Sequence, residues 1–260
     1  MKYLKVWKQL SACAIGSYLS NRIDITSYFI GKLVRFGFFI LLIVSIFNFT
    51  DSLAGYGKYE VLLFFLTFNL VDVFPQAFFR GIYSFREDVR KGNFDFALIK
   101  PLNPLFYIMT KLTDILDIIF LIPIIFLIIY TVIKLEITLT LVNILLYLIF
   151  IIVGQLIILG IHIISACVTI WTLESENFIW FYRESMTIGR FPPEILSLTV
   201  QFIFTFLMPI IIVVAFPVKI LLGTLAIRWV LFALLYSFVF FFFSILLWRT
   251  SLKRYSSASS

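Results

Sequence analysis

Asp72 is the residue best placed to do chemistry in this chain, because an ionisable group inside an apolar run is costly and marks a functional position. Asn69 and Gln76 stand three residues before and four after it, on the same face of a helix. Such a face can hold a cation, contact a polar solute or hand on a proton. Arg35 is the natural counter-charge, with Lys32 one turn lower, and pairing would fasten two apolar runs together. His162, the single histidine, lies in another apolar run. It reads first as a hydrogen-bonded packing residue, with a pore contact or a proton relay as sharper alternatives. Asp114 and Asp117 sit one turn apart and are expected to be anchored by Lys100 or Lys111.

Other chemistries lack their residues. There is no Gly-x4-Gly-Lys-Ser/Thr loop to cradle nucleotide phosphates. No His, Cys and carboxylate cluster has metal-ligand spacing, and no nucleophile-base constellation is available. Cys13 and Cys167 lack CxxC spacing and are not expected to form a structural disulfide. The basic residues lie at the ends of apolar runs without aromatic interleaving, so nucleic acid is not an expected partner.

The elements that must position these groups are membrane helices. Of the 260 residues, 62% are hydrophobic and only 13% are charged, far from soluble usage. A span needs about 20 apolar residues. The runs 28–49, 59–80, 107–133, 139–172, 196–216 and 226–248 qualify, and give an all-α, polytopic fold with six spans. The fourth run reads as one long tilted helix. With both termini inside, every Lys and Arg except Lys58, Lys134, Lys219 and Arg228 falls in an inner segment or at the inner foot of a span. Residues 173–195 form an inner loop in that scheme. Residues 1–26 repeat Tyr3, Val6, Trp7, Leu10, Cys13, Ala14 and Tyr18 at helical spacing, as an amphipathic helix on the inner leaflet would. Residues 251–260 read as a flexible inner tail. Pro75, Pro123 and Pro209 interrupt apolar helices and are expected to kink them.

The segment 81–104 between the second and third spans concentrates charge: Arg86, Glu87, Asp88, Arg90, Lys91, Asp95 and Lys100. Ser84 and Glu87 have capping-box spacing, Gly92 suits a helix C-terminus, and Asn103-Pro104 suits a helix start. The pattern predicts a short helix over 85–91, a proline elbow at Pro101 and then span three. A solvated loop that only fixes topology and an ordered docking element both fit these signals.

The run Gly92-Asn93-Phe94-Asp95-Phe96-Ala97-Leu98-Ile99-Lys100-Pro101 resembles the G-x-x-D-x-x-L-x-K/R-P signature of type-2 ABC transporter permeases, the group with a six-span core of about 260 residues. Arg190-Phe191-Pro192-Pro193, Met208-Pro209, Phe216-Pro217, Leu221-Leu222-Gly223 and Arg254-Tyr255-Ser256-Ser257 follow in the same order. The resemblance implies a permease subunit of an ATP-driven exporter in the cell inner membrane. Phe85, Arg86, Glu87, Asp88, Val89, Arg90 and Lys91 would couple to a separate cytoplasmic ATPase that carries ATP and magnesium, so this chain would bind no cofactor. It also implies short membrane-embedded pieces between the last two spans, and pairing with a second permease copy or a paralogue. Two other classes fit parts of the sequence: a proton-coupled carrier using Asp72 and His162, and a membrane scaffold without transport.

Overall fold

The computed structural model describes residues 2–19, 22–135, 140–172 and 175–256. No β-strand occurs among them. Apolar surroundings offer the backbone no hydrogen-bond partners, so helices that satisfy their own groups are the expected solution.

Helix α1 (Lys2–Leu19) precedes α2 (Arg22–Ile46) and α3 (Lys58–Phe78). Three short helices follow: α4 (Phe85–Arg90), α5 (Asn93–Leu98) and α6 (Pro104–Thr110). Then come α7 (Ile115–Lys134), α8 (Leu141–Thr172), α9 (Ser175–Met186), α10 (Leu198–Phe202), α11 (Ile210–Leu221) and α12 (Ile227–Lys253). Helices α2, α3, α7, α8 and α12 are long and apolar enough to cross a membrane. The hub is α3: Val61, Leu63, Phe64, Leu66 and Val71 are wholly buried, as befits a helix apolar on all sides. By contrast α2 exposes Ile30, Val34, Phe38, Leu41 and Leu42 on the outside of the bundle.

One end of the bundle, here the lower end, gathers α1, the 80–110 segment and the foot of α12. Tyr3 packs edge-on against Phe106 at 4.9 Å, Ser11 shares a 2.8 Å hydrogen bond with Thr113, and Tyr255 bonds Asp95. On α1 it is Ser11 and Ala14 that are buried, whereas Cys13 of the expected apolar face is exposed. The helix therefore leans on α6 as well as presenting a face outward. Of the expected surface helix 1–26, residues 1 and 20–21 lie outside the described residues and 22–26 belong to α2; 257–260 of the expected tail are also outside the described residues. The tail's first residues, 251–253, continue α12 instead.

The fifth crossing departs from expectation. Residues 196–216 do not form one straight helix: α10 and a π-helical turn, Ile203–Leu207, meet α11 at a 101° bend. Proline 209 sits in the break, and the Tyr236 hydroxyl donates to the Phe206 carbonyl there at 2.8 Å. Both ends of this bent pair lie at the upper end. Lys219 pairs with Glu194 at 2.5 Å, and the Tyr56 hydroxyl, in the α2–α3 connection, donates to the same carboxylate at 3.2 Å. The pair is a re-entrant hairpin.

The stretch expected to be an inner loop instead runs from the lower to the upper end of the bundle. Arg183 reaches Gln76 near the foot of α3, Arg190 lies over Phe68 at its middle, and Glu194 meets Tyr56 beyond its top. Helix α9 and the 3-10 turns Thr187–Arg190 and Pro193–Ile195 thus climb alongside α3. Twelve α-helical residues at about 1.5 Å and the tighter turns at about 2 Å cover roughly 30 Å. Hydropathy overlooks this crossing because its inner face is polar. The order of crossings, α2, α3, α7, α8, α9 with its turns, and α12, leaves both chain ends at the lower end.

Helix α8 is one unbroken helix of 32 residues, about 48 Å long. That exceeds the ~30 Å hydrocarbon layer, and the excess is used below, where Ile163, Ala166 and Cys167 pack under α4. Span three also starts later than expected: α6 ends at Thr110, and α7 begins afresh at Ile115 behind an Asp114 cap.

The re-entrant reading is tested by labelling single cysteines at 52, 93 and 194 in a background without Cys13 and Cys167. An impermeant maleimide should label positions 52 and 194 from one side of the membrane and position 93 from the other. Position 194 labelling together with 93 would reject the fifth crossing.

Candidate functional site

The lower segment is built from local rules with one exception. Gly92, at φ +73°, ends α4 in the left-handed region that only glycine adopts cheaply, and so turns the chain into α5. Helix α5 replaces what sequence read as the start of an elbow. Asn103 caps α6, its side chain accepting from the Leu105 N–H at 2.9 Å, with Pro104 at the first position. The Ser84–Glu87 capping box does not form. A 3-10 turn, Arg80–Ser84, runs straight into α4, and the Ser84 hydroxyl donates back to the Gly81 carbonyl at 3.0 Å. Glu87 pairs with Lys91 at 2.9 Å and Arg90 at 3.0 Å instead. The Lys91 hydrogen bond, then the Arg90 one, holds the exposed Glu87 carboxyl below the usual range. That local contribution is full above the free-chain value and is lost as pH falls through the lowered one.

The segment has an anchored side and an open side. Phe85 and Phe94 are buried edge-to-face at 4.9 Å, both within 6.3 Å of Trp248, and Val89 and Ala97 are buried with them. The Tyr255 hydroxyl donates to Asp95 at 2.9 Å; burial and that bond push its phenol up to about 12. Asp88 pairs with Lys111. Gly81 fits because a Cβ there would collide with the Ile108 carbonyl, so the 3-10 turn Arg80–Ser84 and α6 touch backbone to backbone. Phe85 and Val89 therefore anchor the segment. Arg90, Lys91, Phe96, Leu98, Ile99, Lys100 and Pro101 are exposed, with Arg86 half-buried. Lys100 lies 4.0 Å over the Tyr107 ring, and the Pro101 carbonyl accepts from Lys2 at 2.6 Å.

The intramembrane charges pair differently from expectation. Lys32 pairs with Asp117, and Arg80 with Asp114 and, at 3.6 Å, with Asp117. Asp114 also caps α7 through the Leu116 N–H at 2.9 Å. Because α7 starts at Ile115, these carboxylates face α2 and Arg80, not the 100–111 segment. Lys100 and Lys111 are occupied elsewhere. Asp72 takes neither Arg35 nor Lys32 as an ion-pair partner: it accepts from Gln76 at 2.8 Å, and Gln76 in turn accepts from Arg183 at 3.3 Å. Asn69 donates to the Phe65 carbonyl at 2.7 Å. His162 is fully buried, bonded to the Ile158 carbonyl at 2.8 Å and edge-on to Tyr83 and Tyr182.

These helices enclose a cavity of about 650 Å³, within the ~300–1,000 Å³ range of ligand sites. Arg35, Asp72, Asn69, Gln76 and Lys32 line it from α2 and α3, Arg80 from the turn below α3, and Arg183, Glu184, Thr187 and Arg190 from the fifth crossing. Phe36, Phe39, Phe65, Phe68 and Phe120 complete the wall; His162 does not line it. Arg183 and Arg190 were read as topology charges. Their signal was present: positions 180, 183, 184, 187 and 190 share one side of the helix, next to the side that buries Ile179, Tyr182 and Met186. Each charge at a span centre costs about 3 kcal/mol, so a cluster of them needs a reason.

No group of His, Cys or carboxylates among the described residues could hold a metal ion. An all-helical bundle of six crossings, with a polar cavity and an anchored helical segment beneath, is the architecture of a membrane permease. The chain belongs to the ABC-2 family of transporter proteins, whose family model matches residues 33–259. Searches of curated proteins and of solved structures find no match.

Asp117 is buried between two cations, so Asp117→Ala should lower unfolding stability in detergent by about 3 kcal/mol. Lys32→Ala with Asp117→Ala should cost less than the two singles summed. Strict additivity in a thermal or denaturant titration would show that the pair does not couple α2 to α7.

Proposed function

We propose that this chain is the membrane subunit of an ATP-driven exporter, coupled through α4 and α5 to a separate cytoplasmic ATPase that binds ATP and magnesium. The observation that carries the reading is the two-sided lower segment. Its inner side is locked by Phe85, Val89, Phe94 and Ala97 onto α8 and α12, and its outer side offers cations around Phe96 and Ile99. A push on α4 is passed to long, stiff helices and, through α6, to the foot of α7. The cavity beside α3 is the pathway those helices would open. The lower end then faces the cytoplasm and the protein lies in the cell membrane. The exposed apolar face of α2 suits a second permease copy or a paralogue. Export is the direction favoured by the family resemblance.

A proton-coupled carrier using Asp72 and His162 has less support, because only Asp72 reaches the cavity. A relay between the two would have no second member at the pathway.

The test is co-purification. The chain is purified with the products of its genomic neighbours, and an ATPase should be retained. Reversing Arg86, Glu87 and Arg90 together keeps the 87–90 ion pair while inverting the outward charge. The retained ATPase should fall at least tenfold, with membrane insertion unchanged. Transport by the isolated chain on a proton gradient would reject the proposal.

A further inference from the structure

The cavity's charges do not balance within the chain. Lys32 and Arg80 are committed to Asp117 and Asp114. Arg35, Arg183 and Arg190 make no ion pair among the described residues, although all three line the cavity. Of the two carboxylates in the wall, Asp72 is bonded by Gln76, and Glu184 forms no ion pair with any of the three.

The contacts of Arg183 and Arg190 use only part of their N–H edges: among the described residues the one side-chain acceptor is Gln76, whose Oε1 accepts from an Arg183 nitrogen at 3.3 Å. Arg190 is placed 4.5 Å from the Phe39 ring centre and 5.1 Å from that of Phe68, and its Nε is buried without a hydrogen-bond partner. Arg183 stacks at 5.4 Å on Trp180 and 5.7 Å on Tyr83. Rings cover the faces of a guanidinium but do not use its in-plane N–H donors, which match a carboxylate or phosphate in bidentate fashion. Arg35 lies close enough to Arg190 to repel it while Asp72 and Glu184 attract it, so three arginines share two carboxylates and an anion would balance the remaining charge. Around this head site the wall is aromatic, with Phe36, Phe65 and Phe120. From Ser27 to Phe39 the cavity follows twelve residues of α2, about 18 Å. That length takes an extended apolar body as well as a polar head.

We propose that the cavity binds amphiphilic anions: an oxyanion head, carboxylate or phosphate, held by Arg190, Arg35 and Arg183, with an apolar body along the phenylalanines. This assigns a cargo class to the permease and rests on that reading of the chain. Whether the anion is taken from the bilayer or from water follows from the competing ligand that displaces it.

The test uses the full chain in phosphatidylcholine nanodiscs, without the ATPase, and reads quenching of Trp180 by 9,10-dibromostearate, with Trp180→Phe subtracted. The acid should quench at least tenfold more tightly than its methyl ester. Dodecyl phosphate should displace it and dodecyltrimethylammonium should not. Displacement by inorganic phosphate at the same concentration would make the source a free anion and overturn the apolar half of the proposal. R190Q and R35Q should each weaken the acid at least tenfold and leave the ester unchanged, with R190K intermediate. Equal quenching by acid and ester, or variants that bind like the parent, would overturn it. So would R35Q that dissociates a dimer without altering anion preference, since a second copy would then supply the counter-charge. If a variant fails to reconstitute, the acid, ester and ammonium comparison on the parent chain decides alone. Because no ATPase is present, loss of co-purification and loss of anion binding are separate results.

Discussion

Charge in a hydrocarbon layer must be neutralised, solvated or used, and this constraint organises the bundle. At the junction of membrane and lower segment, Lys32 and Arg80 meet Asp117 and Asp114, so α2, the end of α3 and the start of α7 share one ionic cluster. The same Asp114 caps α7, which joins the electrostatic fastening to the helix start. Once these charges are spent on each other, Arg35, Arg183 and Arg190 remain in the cavity with two carboxylates, Asp72 and Glu184, to share among them. Only α2 carries a member of each group, Lys32 in the fastening cluster and Arg35 in the cavity wall.

The long helices explain how the lower segment can be both short and firm. Two six-residue helices have no stability of their own. They persist because α8 and α12 extend below the layer and lend them Ile163, Ala166, Cys167 and Trp248 as a floor. Burial of Phe85 and Phe94 contributes roughly 2 kcal/mol each, and the Tyr255–Asp95 bond closes the far edge. The thirty-two residues of α8, too many for a simple crossing, are accounted for by this second task.

Much of this was legible in sequence where the rule is local. Asn103-Pro104 starts a helix, Gly92 ends one, and 62% apolar residues call for membrane helices. Hydropathy erred at the fifth crossing because it measures apolar length, not direction. The run 196–216 is long and greasy yet folds back at Pro209, whereas 175–195 crosses with its polar face turned inward. The partners of Asp117 were not legible either: Lys32 is 85 positions away and is chosen by packing. Ser84 shows the same limit at short range, since the preceding 3-10 turn claims its hydroxyl before any cap can form.

Glu194 holds both Lys219 of the hairpin and Tyr56 of the first connection, while Gly189, a few residues earlier, lies against Val214 and Ile210. The strap that carries Arg183 and Arg190 is therefore fastened to the hairpin at Gly189 and at Glu194. Nothing can shift the arginines without tugging the hairpin, and reciprocity requires the converse. Anything held among these arginines would be felt at the far end of the bundle through one continuous length of backbone.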